Sequence, residues 1–317
     1  MRDRRTPSLL IVGGTKAGKT HYGGQLLRRL ETKKYPLRIV GAPSDLTPFQ
    51  EVLGSLAEGR SAPHTPTSFY RESLWDIRHK DRGYELQLVW PDYGGEQIED
   101  IVKKRHITEP WIERIREASG WLFFVRLAIV AVPEDILARP RRRDHMSAES
   151  TDLNAQSAET SDLELQQDGT HDAELREVPA TLSLSTQAGL VELLQALLFV
   201  KQVASTSRLR NPKLVLVLSC MDELGLDLSN SAQTPADILR GRLPLVSQFI
   251  QSNWDPDCAE VIGLSALGKA LDSNISDEAF KEEGPERQGW CLKTQGGLSD
   301  DLTLPVLTLM EKIRCDQ

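Results

Sequence analysis

Two kinds of apolar spacing alternate along the chain, and their order predicts a sheet layered between helices. Short apolar runs at residues 8–12, 121–125, 213–218 and 258–264 are too brief for helices and read as buried strands. Residues 73–79 and 84–90 are strand-like runs joined by the turn residues Lys80, Asp81, Arg82 and Gly83, a hairpin signal. Helical spacing is expected over 20–30, where Leu26, Leu27 and Leu30 share a face, and over 48–57. It returns over 97–118, where Ile98, Ile101, Val102, Trp111, Ile112 and Ile115 recur with a break near Thr108, Glu109 and Pro110. Further helices are expected at 186–203, 244–253 and 302–313. The last has Ser299, Asp300 and Asp301 as capping candidates, and it tolerates Pro305 only in its first turn. Strands and helices that alternate, with one hairpin, predict an α/β fold whose sheet is mainly parallel and covered on both faces.

Glycine and proline modify this picture locally. Gly23 and Gly24 weaken the middle of the 20–30 helix and leave room for close packing, whereas residues 33–66 carry enough proline and glycine to be mostly loop. Residues 144–177 are rich in Ser, Asp, Glu, Gln and Thr with almost no aromatic residue. Such a stretch buries too little apolar surface to offset its ordering entropy, so a disordered insertion is expected at about 139–180 within a single domain spanning 1–317. Residues 189–200 are apolar but interrupted by Glu192 and Gln195, which suits a buried helix and not a membrane span.

The net charge of −8 argues against a general nucleic-acid surface. Cys220, Cys258, Cys291 and Cys315 lie far apart without a C-x-x-C pair, so neither a zinc site nor a disulfide framework is expected, and reduced thiols in the cytoplasm are the plain reading. The basic start followed by Leu9, Leu10, Ile11 and Val12 imitates a signal peptide, but its apolar part is too short.

The chemistry begins with Gly13, Gly14, Thr15, Lys16, Ala17, Gly18, Lys19 and Thr20, which spell the phosphate-binding pattern G-x-x-x-x-G-K-T between an expected strand and an expected helix. Its glycines let backbone N–H groups turn inward on an anion, and the helix start adds its positive dipole end. Lys19 is expected to reach the β- and γ-phosphates and the Thr20 hydroxyl to ligate Mg²⁺. Asp92, after the second hairpin strand, is the carboxylate that such a site needs to organise the metal.

Four motifs then stand in order at strand ends: the phosphate loop; Asp92, Tyr93, Gly94 and Gly95 as D-x-x-G; Asp222 after the 213–218 run; and Ser265 with Ala266 after the 258–264 run. In this the chain resembles the translation-factor-related (TRAFAC) P-loop GTPases. The Gly-Gly-Glu after Asp92, the proline-rich segment before the switch threonine, and the tail from Gly289 and Trp290 to Leu302 look most like the bacterial double-GTPase group. The resemblance implies a three-layer P-loop NTPase (Ras-like) fold with one antiparallel hairpin strand. It implies GTP and Mg²⁺ as ligands, a glycine N–H at Gly95 sensing the γ-phosphate, Asp222 reading guanine, and Thr65 or Thr67 as the switch threonine on the metal. It further implies a switch that hydrolyses GTP to GDP in signalling or conflict systems, with a protein effector or activator.

Departures from the family pattern keep alternatives open. Ser219 and Cys220 stand where relatives have Asn or Thr and then Lys, so no lysine stem packs over the base, and an ATP-using enzyme remains an alternative. Glu96 occupies the place of a water-orienting glutamine, with Gln97 adjacent, which leaves a nucleotide-binding scaffold with little hydrolysis as another. Lys16 sits where some relatives hold a potassium ion, and its ammonium is a candidate for supplying that charge in cis.

Overall fold

The fold is taken from a computed structural model that describes residues 6–32, 34–62, 71–92, 95–130, 186–203, 207–228 and 232–315, without the side chains of residues 71, 92, 95 and 96. The expected insertion at 139–180 lies outside the described residues. Along the chain the elements are β1 (Ser8–Gly13), α1 (Lys19–Glu31), β2 (Leu37–Ile39), α2 (Thr47–Ala57), β3 (Arg71–His79), β4 (Glu85–Asp92), α3 (Gly95–Lys104), α4 (Glu109–Glu117) and β5 (Gly120–Arg126). They continue with α5 (Gln187–Lys201), β6 (Lys213–Ser219), α6 (Pro235–Arg242), α7 (Pro244–Asn253), β7 (Ala259–Ser265), α8 (Glu278–Glu283), β8 (Trp290–Leu292), β9 (Leu298–Ser299) and α9 (Leu304–Arg314).

The strands form one nine-stranded sheet in the order β2-β3-β4-β1-β5-β6-β7-β8-β9. The central strands β4, β1, β5, β6 and β7 run parallel. The hairpin β3–β4 is antiparallel, as its turn residues predict, with Trp75 opposite Leu88. The sheet extends further than the sequence pattern indicates, because β2 adds to β3 and the short β8 and β9 add beyond β7, all antiparallel.

The central strands are buried on both faces, and their side chains divide with the period of two that a pleated strand dictates. Leu10, Val12, Trp121, Phe123, Leu214, Leu216 and Leu218 enter one core with Ile98 of α3, Ile115 of α4, Leu193 and Leu197 of α5 and Ile250 of α7. Leu9, Ile11, Leu122, Phe124, Val215 and Val217 enter the opposite core with Leu26 of α1 and Val306 and Leu309 of α9. This is the three-layer α/β arrangement that the alternating pattern predicts.

Gly23 and Gly24 are where α1 meets α2 closely. A Cβ on Gly23 would lie 2.4 Å from Phe49 Cε1, and one on Gly24 would lie 2.8 Å from Val52 Cγ1. The expected break in the 97–118 helix falls at residues 105–108, and Arg105 there takes a left-handed φ of 49°. At the last helix Thr303 is the N-cap, and Asp301 acts one step earlier by accepting from the Thr303 N–H (2.8 Å) and hydroxyl (2.7 Å). Pro305 falls within the first turn, where its missing N–H leaves no bond unmade. Among the described residues no helix is long and apolar enough to cross a membrane.

Candidate functional site

β1 delivers the phosphate loop at the end of the sheet where the parallel strands finish. Gly13 is required there, because a Cβ would stand 2.8 Å from Phe124 Cβ and 2.9 Å from the Phe124 carbonyl on β5. The loop turns through left-handed backbone at Lys16 (φ 60°) and Gly18 (φ 75°). The Ala17 N–H donates to the Gly14 carbonyl at 3.4 Å, and the Tyr22 N–H donates to Gly18 at 3.0 Å, which starts α1. The α1 N-terminus therefore faces the concave side of the loop, where its dipole favours an anion.

The Lys19 ammonium lies across the loop and donates to the carbonyls of Gly13 (2.7 Å) and Gly14 (2.9 Å). Thr20, half-buried, follows on the first turn of α1. Ala17 is buried in the core beneath, whereas Lys16 is exposed. The Thr15 hydroxyl donates to Glu99 Oε1 on α3 at 3.0 Å, so one hydrogen bond joins the phosphate loop to the helix that follows D-x-x-G.

β4 is the parallel neighbour of β1 and ends at Asp92, one strand over from the loop. α3 begins at Gly95 and carries Glu96 and the half-buried Gln97 in its first turn. The side chains of Asp92 and Glu96 lie outside the described residues, as do Tyr93, Gly94 and both switch candidates, Thr65 and Thr67. His21, on the first turn of α1, accepts from the Ala62 N–H through Nε2 at 3.0 Å.

On the other side of the loop, β6 ends at Ser219 and the chain turns sharply at Cys220, whose φ of 53° is left-handed. The Cys220 sulfur would lie 3.2 Å from a Cβ placed on Gly18, so the β6 turn rests directly against the phosphate loop. Burial, aided by the nearby Glu223 carboxylate, pushes this thiol up to about 12, which keeps it uncharged. Asp222 caps no helix. Its Oδ1 accepts from the Ser265 hydroxyl at the end of β7, and Ser265 Oγ in turn accepts from the Gly268 N–H at 2.9 Å. The serine thereby fixes the carboxylate from an adjacent strand. Ala266 is covered by the chain at Gly289, where a Cβ would stand 2.4 Å from the Ala266 carbonyl.

Three contributors have no local sequence signal: Arg126, Glu223 and Glu99. Arg126 ends β5 opposite Ser219 of β6. Its guanidinium binds Glu223 through Nε (2.8 Å) and Nη2 (2.5 Å), and donates from Nη1 to the Lys16 carbonyl at 3.2 Å. One side chain thus ties the phosphate loop to the turn that carries Asp222. The Glu223 hydrogen bonds raise its pKa above the ordinary arginine value.

A sequence model of the family described as Double-GTPase 1 matches residues 10–309, which takes in the phosphate loop, D-x-x-G, Asp222 and Ser265 with Ala266. The chain belongs to the Double-GTPase 1 family. Within the residues matched by the Double-GTPase 1 model, the motifs run from the end of β1 to the end of β7, and the site is that of a P-loop protein of the GTPase class. Solved structures similar to this Double-GTPase 1 chain include Roco2 RocCORdC of Methanosarcina barkeri bound to GDP, at 13% identity over 88% of this chain and 47% of that one, with a TM-score of 0.30. Another is the signal recognition particle receptor SRb-GTP/SRX complex of Chaetomium thermophilum, at 13% identity over 88% of this chain and 97% of that one, with a TM-score of 0.37. The chain spans about half the length of the Roco2 chain that it matches. Both superpositions are loose, and family membership rests on the sequence match. No curated protein sequence matches the chain.

Proposed function

We propose that the protein is a molecular switch that binds GTP with Mg²⁺ at Gly13–Thr20 and hydrolyses it to GDP and phosphate. The observation that carries this is the fixing of Asp222 by Ser265 on a turn packed against Gly18, because it sets a base-reading carboxylate beside a phosphate cradle. A carboxylate accepting two N–H bonds selects guanine, whose edge offers two donors. The Thr20 hydroxyl, the Asp92 carboxylate and a threonine at 65 or 67 form the hard oxygen set that Mg²⁺ takes. When bound, the ion offsets charge on the phosphate oxygens.

The roles of the chain's own residues follow. Lys19 exchanges its loop carbonyls for phosphate oxygens, and the N–H of Gly95 senses the γ-phosphate. Glu96 or Gln97 orients the attacking water, and Lys16 places a positive charge over the phosphates. The Thr15–Glu99 hydrogen bond supports transmission, since it links α3 directly to the phosphate loop. Segments around Thr65–Thr67 and Asp92–Gln97 order with GTP and release after hydrolysis, and that change is what a protein effector reads. The two sides of the 139–180 insertion share one sheet through β5 and β6, which supports a single GTPase-like domain over 1–317.

Binding of GTP and ATP measured in competition tests the base. Preference for ATP would sink the guanine reading. Multiple-turnover phosphate release, with Lys19→Ala as the blank, tests the reaction. Tight GTP binding without release above that blank would make the protein a nucleotide-dependent scaffold, the reading that Glu96 favours.

A further inference from the structure

The residue that relatives use to cover the base is a cysteine in this chain, and Cys220 cannot replace a lysine. Its side chain is short, it is turned against Gly18, and it bears no charge. The surroundings nevertheless hold a cation. Arg126 enters from the neighbouring strand, and the β5–β6 register puts it level with Ser219, one residue before Cys220. Its guanidinium borders the space between the phosphate loop and Asp222, since it holds the Lys16 carbonyl with one nitrogen and Glu223, next to Asp222, with two others.

We propose that Arg126 is the base platform of this site: its guanidinium, immobilised by Glu223 and the Lys16 carbonyl, stacks on the purine face while Asp222 reads the edge. The proposal rests on guanine-nucleotide binding at Gly13–Thr20 and deepens it. A guanidinium is planar, permanently charged and weakly hydrated, so it stacks on an aromatic face with little desolvation penalty. The three hydrogen bonds fix the plane before any ligand arrives, which reduces the ordering entropy lost on binding. About a quarter of the Arg126 side chain is exposed (25%), so part of it stays open to a ligand. The device is specific in what it recognises: a flat purine carried on phosphates, with hydrogen-bond selection left to Asp222.

The test separates base from phosphate. Wild type, Arg126→Gln, Arg126→Lys and Glu223→Gln are titrated by calorimetry with GDP, GTP and inorganic tripolyphosphate, with thermal melts as a check on folding. For Arg126→Gln, GDP and GTP should weaken about tenfold while tripolyphosphate binding stays within about twofold. Arg126→Lys should recover little, because an ammonium has no plane. Glu223→Gln should lose less, because the cation remains but its clamp is loosened. An equal loss for nucleotide and tripolyphosphate would show that Arg126 only shapes the phosphate loop, and no loss at all would show that it touches neither; each result overturns the proposal. If Arg126→Gln melts below the assay temperature, Arg126→Lys and Glu223→Gln decide, and wild-type GDP affinity in both overturns it. Should the wild type bind tripolyphosphate but no guanine nucleotide, the underlying function fails, and that outcome needs no variant to be seen.

Discussion

Gly23→Ala places one methyl group where α1 packs against Phe49 of α2 and Trp90 of β4, and the opposing terms can be weighed. Alanine in mid-helix is favoured over glycine by about 1 kcal/mol. Against this, the new Cβ would meet Phe49 Cε1 at 2.4 Å and two Trp90 ring carbons at 2.7 and 2.8 Å. Carbons prefer about 3.5–4.0 Å, so rings would have to retreat by about 1 Å. They have nowhere to go: Phe49 is fully buried and Trp90 is 3% exposed. Trp90 stacks on Trp75 at 5.4 Å, and Phe49 meets both edge-on at 5.0 and 5.2 Å. Overpacking a filled core costs about 1–3 kcal/mol, and a site wedged between two rings that are themselves backed by a third belongs at the upper end. Net destabilisation of about 2 kcal/mol is expected, a fall in melting temperature of roughly 3–4 °C for a domain of this size. Gly54→Ala on α2 is the control, since a Cβ there meets nothing within 4 Å. It should stabilise by about 0.5–1 kcal/mol. Thermal unfolding of both variants is the assay, and a Gly23→Ala protein that melts at or above wild type would refute the close approach.

Other outcomes are equally specific. Lys19→Ala should weaken GTP binding by roughly tenfold or more, the scale of one hydrogen bond to a charged group, as read by calorimetry. Ser265→Ala removes the donor to Asp222 and should cost roughly tenfold in GTP affinity without altering ATP binding; unchanged GTP affinity would deny Asp222 its role. Lys16→Ala should slow phosphate release in sodium buffer by about a hundredfold, and wild-type turnover would exclude a charge supplied in cis. The Cys220 thiol is held at about 12 from an ordinary 9.0, and Cys291 is also raised, in both cases chiefly by burial. Between pH 9 and pH 12 the unfolded chain releases these protons while the folded one keeps them, so stability should fall as pH rises, by up to about 1.4 kcal/mol per pH unit for each thiol. Denaturant melts at pH 8, 9, 10 and 11 would show it, and Cys220→Ser should flatten the slope.

The central strands were legible because burial on both faces writes itself as an unbroken apolar run, as in residues 214–218 of the fully buried β6. The phosphate loop was legible because its chemistry is local: every residue it needs lies between Gly13 and Thr20. The edge strands were not. β2, β8 and β9 are three, three and two residues long, too short to show a period of two, and they exist because a sheet edge was available to pair with. α6 did carry a signal that the apolar pattern passes over: Thr234 and Asp237 form a capping box around Pro235 at the first turn. Arg126 and Glu223 carried none, because their pairing depends on the β5–β6 register and on a turn far along the chain. In the same way Glu99 is one more acid on an amphipathic helix until α3 is set beside Thr15.

The β5–β6 ladder pairs Gly120 with Lys213 and Arg126 with Ser219, although residues 127–212 lie between the strands. The entropy of closing such a connection grows only with the logarithm of its length, by about 0.6 kcal/mol for each doubling. Wide variation in the length of that connection therefore bears little on the folded state, and the burden falls on kinetics. Pairing of β6 with β5 must await a long chain closure, so the β1–β5 half has the shorter route to assembly and the half that brings Asp222 joins late. A ribosome-bound chain would meet the same order, with the phosphate loop emerging well before the base-reading strand.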